Sequence, residues 1–131
     1  IIVYTFDKKS FMLVPNASMI SKVFNWLLSK SKNFSVKVDD KSEDYFCIAV
    51  QGPESLRLLR QYLNVSISPF KLTKLDDLII SGTGYTGEKG YEIIGPLSEC
   101  LTVWQSFLDM GAIPIGLGAR DTLRLEKGYL L

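Results

Sequence analysis

Two β-rich runs, Leu78–Ser81 and Tyr91–Ile94, are joined by Gly82-Thr83-Gly84-Tyr85-Thr86-Gly87-Glu88-Lys89-Gly90, a turn with four glycines. No other feature constrains the fold so tightly. Gly82, Gly84 and Gly87 satisfy G-x-G-x-x-G after a strand, which first suggests a dinucleotide site. Such a site needs a helix to open at the third glycine, so that its N-terminus meets the pyrophosphate. Here Gly90, Gly95 and adjacent β-branched residues break any helix within a turn. The acidic residue wanted about 20 positions further on is missing as well, since Asp109 beside Met110 falls at the end of another helical pattern. The segment reads instead as a hairpin, in which glycine supplies positive φ at some positions.

The rest of the chain fits around that hairpin. Ile2–Phe6 and Phe11–Val14 flank the polar tip Asp7-Lys8-Lys9-Ser10, which predicts a second hairpin. Met19, Ile20, Val23, Phe24, Leu27 and Leu28 recur at helical spacing and predict a helix from about Ala17 to about Lys30. Phe34–Val38 is a short strand candidate. Tyr45–Val50 is a clearer strand, expected to be buried on both faces. Pro53 and Glu54 suit the first turn of a helix that Leu56, Leu59 and Leu63 stripe. Pro96 opens another helix, with Leu97, Leu101, Trp104 and Leu108 as its expected core stripe and Gly111 at its end. A last helix is expected from near Gly118 to Lys127, closed by Gly128. Hairpins alternating with helices predict an α+β fold, with a mainly antiparallel sheet and helices packed on it, as one domain over residues 1–131. The apolar start at Ile1-Ile2-Val3-Tyr4 and the apolar end at Tyr129-Leu130-Leu131 suggest a piece of something larger.

Composition narrows the chemistry. Hydrophobic residues make up 47% of the 131 and charged residues 22%, the balance of a globular chain that can bury a core. Fifteen basic residues against fourteen acidic ones give a net charge of +1, which offers no electrostatic case for nucleic acid. No apolar run approaches the roughly 18 residues of a membrane span. The chain has no histidine, which removes Ser-His-Asp and Cys-His catalysis and the usual zinc sites, so no metal is expected. Cys47 and Cys100 are far apart and read as free thiols.

Glu92 is a carboxylate in an otherwise apolar strand, sharing a face with Ile94 and opposed to Tyr91 and Ile93. Its surroundings carry a resemblance. Gly84-Tyr85-Thr86-Gly87-Glu88-Lys89-Gly90-Tyr91-Glu92-Ile93 resembles the G-Y-T-G-E-x-G-[YF]-E-I signature of the glycine-cleavage T-protein family. Gly116-Leu117-Gly118-Ala119-Arg120-Asp121-Thr122-Leu123-Arg124-Leu125-Glu126 resembles that family's G-L-x-A-R-D-[ST]-L-R-L-E. Leu13-Val14-Pro15-Asn16-Ala17 is a weaker match to its strand ending in V-x-N-A.

The resemblance implies a fragment of a three-domain, folate-binding aminomethyltransferase. That enzyme takes an aminomethyl group from the lipoyl arm of the H-protein, passes the one-carbon unit to tetrahydrofolate and releases ammonia. By the same resemblance Glu92 binds the pterin, Arg120 contacts folate, Tyr85 lies in the pocket, and Asn16, with Val14 beside it, lies near the reacting end. A carboxylate suits the pterin edge, where an N–H and an amino group stand side by side. The family's catalytic aspartate belongs upstream of Ile1, so the 131 residues alone are expected to be inactive. Asp76-Asp77 imitates its look but reads as a surface feature. From the residues alone, Asn16 reads equally as a helix N-cap, and Arg120, Arg124 and Lys127 as a solvated helix face. The alternative function is a folate-binding module of a demethylase, an RNA-modification protein or a regulator. The resemblance implies a cytoplasmic location in a prokaryote and the mitochondrial matrix in a eukaryote.

Overall fold

A computed structural model describes residues 1–130; Leu131, part of the apolar C-terminal end, lies outside the described residues. The chain divides into two compact units, residues 1–43 and 44–131.

In the first unit β1 (Ile2–Thr5) and β2 (Phe11–Val14) form an antiparallel hairpin, with Ile2 opposite Val14 and Thr5 opposite Phe11. Its polar tip closes by Phe6 N–H donating to Ser10 O at 3.0 Å and Lys9 N–H donating to Asp7 Oδ1 at 2.6 Å. A 3-10 turn over Ala17–Met19 leads into α1 (Ile20–Ser31), close to the span its apolar spacing predicts. The strand expected at Phe34–Val38 does not form. Two of its N–H groups bond locally, Phe34 N–H donating to Ser31 O and Val36 N–H to Phe34 O, and it joins no ladder among the described residues.

The second unit contains β3 (Tyr45–Gln51), α2 (Ser55–Leu63), β4 (Leu72–Leu75), β5 (Leu78–Ser81), β6 (Gly90–Pro96), α3 (Cys100–Asp109) and α4 (Leu117–Glu126). Its sheet is antiparallel, in the order β3-β6-β5-β4. The α+β reading is therefore correct, with β4 as a strand that the sequence did not suggest. Asp76 and Asp77 make the two-residue tip between β4 and β5, where Asp76 takes φ +51°.

One face of this sheet is a core face. Phe46, Ile48 and Val50 of β3, Tyr91 and Ile93 of β6, and Leu78 and Ile80 of β5 pack with Leu58 and Leu59 of α2 and Val103 and Phe107 of α3. Each fully buried Leu or Phe among them contributes about 1.5–3 kcal/mol. β3 thus alternates and is not buried on both faces: Phe46, Ile48 and Val50 meet the core, while Tyr45, Cys47 and Ala49 are exposed. The expected α3 stripe is also corrected. Val103 and Phe107 face the core, while Leu97, Trp104 and especially Leu101, at 80% exposure, face out. The helix is apolar on both sides, and spacing alone does not say which side the sheet takes. Gly111, at φ +91°, follows the end of α3, and Gly128, at φ +79°, that of α4.

Tyr91 is 0% exposed, packs near Phe107, and its hydroxyl has no hydrogen-bond partner among the described residues. An unmade bond at a buried hydroxyl costs about 1–3 kcal/mol. Tyr91→Phe removes the orphaned group and keeps the ring, so urea unfolding is expected to show stability unchanged or raised by about 1 kcal/mol. A lowered midpoint would mean that the hydroxyl has a partner after all.

No helix among the described residues is long and apolar enough to cross a membrane, and no group of three or more His, Cys, Asp or Glu side chains among them could hold a metal ion.

Candidate functional site

The sheet face turned away from the core carries Cys47 and Ala49 on β3, Glu92 and Ile94 on β6, and Ile79 and Ser81 on β5. Register sets this arrangement: Ala49 and Ser81 stand opposite Glu92 on its two sides, and Cys47 and Ile79 stand opposite Ile94. Glu92 thus projects from an inner strand, half-buried, with small residues on both flanks.

The glycine-rich turn arches over the end of that face. Thr83 Oγ1 donates to Glu92 Oε2 in a short hydrogen bond. Thr83 Oγ1 also lies 3.0 Å from Ser81 Oγ. A hydroxyl has one proton, so with Thr83's committed to the carboxylate, Ser81 donates to Thr83. Gln51, at the end of β3, holds the turn in place. Its Nε2 donates to Thr83 O at 3.3 Å and to Tyr91 O at 3.2 Å, and its Oε1 accepts from Thr86 Oγ1 at 3.0 Å.

The glycines now have particular reasons. Of those in the turn only Gly87, at φ +74°, uses left-handed backbone. Gly84 and Gly90 are instead places where a Cβ would collide with the Gln51 side chain, and at Gly82 it would collide with the Ser68 carbonyl. Close approach, more than positive φ, explains the composition of this turn.

α4 joins the turn through Tyr85. The Tyr85 ring stacks with Tyr129 at 5.8 Å between centroids, and its hydroxyl donates to Leu130 O. The Arg120 guanidinium lies 5.2 Å from the Tyr85 ring centroid and that of Arg124 6.0 Å. The solvated-face reading of α4 holds for Arg120 and Lys127 but not for Arg124. That residue is 5% exposed, with Nε 2.6 Å from Asp121 Oδ1 and NH1 donating to Tyr129 O at 3.0 Å. A buried guanidinium needs such partners, and the i, i+3 spacing to Asp121 supplies one.

Glu92 and Arg120 reach a common neighbourhood, which Cys47 registers. Although part of Cys47 is open to solvent, packing around its sulfur and then the Glu92 carboxylate push its thiol up to about 12, with Arg120 pulling the other way. Cys47 is consequently a poor nucleophile at neutral pH.

Three of the five residues singled out from sequence, Glu92, Tyr85 and Arg120, lie in the second unit. Val14 and Asn16 belong to the first unit, Val14 at the end of β2 and Asn16 ahead of the 3-10 turn. The Asn16 side chain makes no cap hydrogen bond, although its carbonyl accepts from Met19 N–H at 2.8 Å. Thr83, Ser81 and Gln51 were not anticipated. The one available signal was a polar residue at each end of an apolar strand, which is too common to single anything out.

Comparison with known proteins gives a consistent result. Aminomethyltransferases of Halothermothrix orenii and Pseudothermotoga lettingae are each 41% identical to it, over 142 and 141 residues, and that of Staphylococcus carnosus is 40% identical over 140. Each alignment takes in 100% of this chain but only 40%, 39% and 38% of the relative. The chain therefore spans about two fifths of the length of the curated relatives it matches. A family model described as the GCVT N-terminal domain matches residues 1–131, and the chain belongs to that family.

Proposed function

We propose that this chain is the folate-binding part of an aminomethyltransferase of the glycine cleavage system. In the whole protein, the one-carbon unit passes from the aminomethylated lipoyl arm of the H-protein to tetrahydrofolate, and ammonia leaves. The reading is supported by the Glu92 carboxylate, held by Thr83 on an inner strand, with the Arg120 charge acting on the same neighbouring Cys47 thiol as Glu92 does.

The donor set suits the ligand. A carboxylate offers only acceptors, and the pterin edge offers an N–H and an amino group side by side, so the two meet in a paired, charge-assisted contact. Arg120 adds a planar cation that can receive the pterin carbonyl or a carboxylate of the glutamate tail. Tyr85, stacked on Tyr129, presents its ring to the Arg120 guanidinium. In this reading these residues bind and orient the one-carbon acceptor, and their contribution to rate is positioning.

Calorimetry with tetrahydrofolate and NAD in parallel tests the assignment. Saturable heat with tetrahydrofolate and none with NAD is the expected result. Binding of NAD, or silence with tetrahydrofolate, overturns it.

A further inference from the structure

Thr83 and Ser81 do something for Glu92 that neither signature segment nor chain position announces. A glutamate on an inner strand can turn its terminal carboxylate freely, because that torsion is broad and nearly flat. Here one oxygen, Oε2, accepts from Thr83 Oγ1. Thr83 is itself held twice: its carbonyl accepts from Gln51 Nε2 at 3.3 Å, and its hydroxyl lies 3.0 Å from Ser81 Oγ. Ser81 sits opposite Glu92 in the ladder and is buried, so the chain of hydroxyls starts from the rigid sheet. Two hydroxyls in series therefore fix the plane of one carboxylate.

On the folate reading above, on which this inference rests, we propose that Thr83 is the positioning residue of the pterin site. It fixes the Glu92 carboxylate so that both donors of a two-donor heterocycle edge are met at once. A carboxylate left to rotate meets one donor well and the other poorly. The consequence is selectivity as well as affinity. The held carboxylate distinguishes a ligand with the neighbouring amino group from one without it, since the ligand that lacks the donor forfeits its contact with a fixed acceptor. A rotating carboxylate readjusts and distinguishes them less.

The test uses the full chain, tetrahydrofolate, and an analogue lacking the pterin 2-amino group. Thr83→Val removes the hydroxyl at nearly constant shape, Thr83→Ala is a second hydroxyl-free variant, and Thr83→Ser restores the donor. Thermal melting checks that each is folded. Thr83→Val and Thr83→Ala are expected to weaken tetrahydrofolate binding about tenfold and to bind the two ligands more nearly alike, with Thr83→Ser within about threefold of the unaltered chain. A purely structural role would weaken both ligands equally and leave their ratio unchanged, which overturns the proposal. Unaltered affinity in Thr83→Val alongside loss in Glu92→Gln overturns the positioning role alone. No tetrahydrofolate binding by the unaltered chain overturns the folate reading and the positioning role with it.

Discussion

Glu92→Gln is expected to weaken tetrahydrofolate binding by about 10- to 100-fold, the range of a lost charge-assisted pair. The melting temperature should hardly move. The substitution preserves volume, and Glu92 is half-buried on the other face of the sheet from the packed cluster of Phe46, Ile93 and Phe107. The loss exceeds that of a single hydrogen bond because of Thr83. Its hydroxyl donates to Oε2 and retains an oxygen as its acceptor, so the new amide nitrogen is turned toward the ligand. Donor then faces donor, which is worse than an absent partner. Titration calorimetry measures the affinity, and circular dichroism confirms the fold. Equal affinity in the variant would place the ligand away from this face.

The second large effect concerns stability. Gly84→Ala is expected to cost about 1–3 kcal/mol, although Gly84 does not use left-handed backbone. The added methyl falls on the Gln51 amide, the group that holds Thr83, Thr86 and Tyr91 together. The two positions should therefore fail to add. In a Gln51→Ala background the same Gly84→Ala change is expected to cost at least about 1 kcal/mol less, because the collision has gone. Gly90→Ala supplies the contrast. There the methyl also meets the Val50 carbonyl, which is backbone, so trimming Gln51 rescues little. Urea unfolding of the three single variants, the two double variants with Gln51→Ala and the unaltered chain gives both cycles. Additive costs at 51 and 84 would show that the turn is held by something other than this side chain.

Much of the architecture was legible because it is local. Two helices end just before Gly111 and Gly128, and the strands on either side of the turn each carry a pair of adjacent isoleucines. The errors share a cause. An apolar run does not disclose which of its faces meets the core, so β3 read as doubly buried and α3 was turned toward its wrong side. Phe34–Val38 had strand composition but no partner to pair with, and β4 has ordinary composition but gains one. The site divides in the same way. Glu92 was visible as a charge where alternation and composition disagree. Thr83 and Gln51 act across 9 and 32 positions of sequence, through contacts that exist only once the sheet has formed. Arg124 looked solvated because its partners, Asp121 apart, come from beyond the helix.

β6 has a neighbour on each edge, β3 on one side and β5 on the other. Its peptide groups therefore open to solvent only when the sheet itself comes apart, whereas the turn and α4 are fastened by a few side chains and can loosen alone. On the proposed folate reading, the binding surface is graded in stiffness. Glu92 stands at the rigid end and Tyr85 and Arg120 at the compliant end, so a ligand gripped by all three loses little conformational freedom of the protein at the first and more at the other two. Such a surface recognises a ring strictly and a flexible tail leniently.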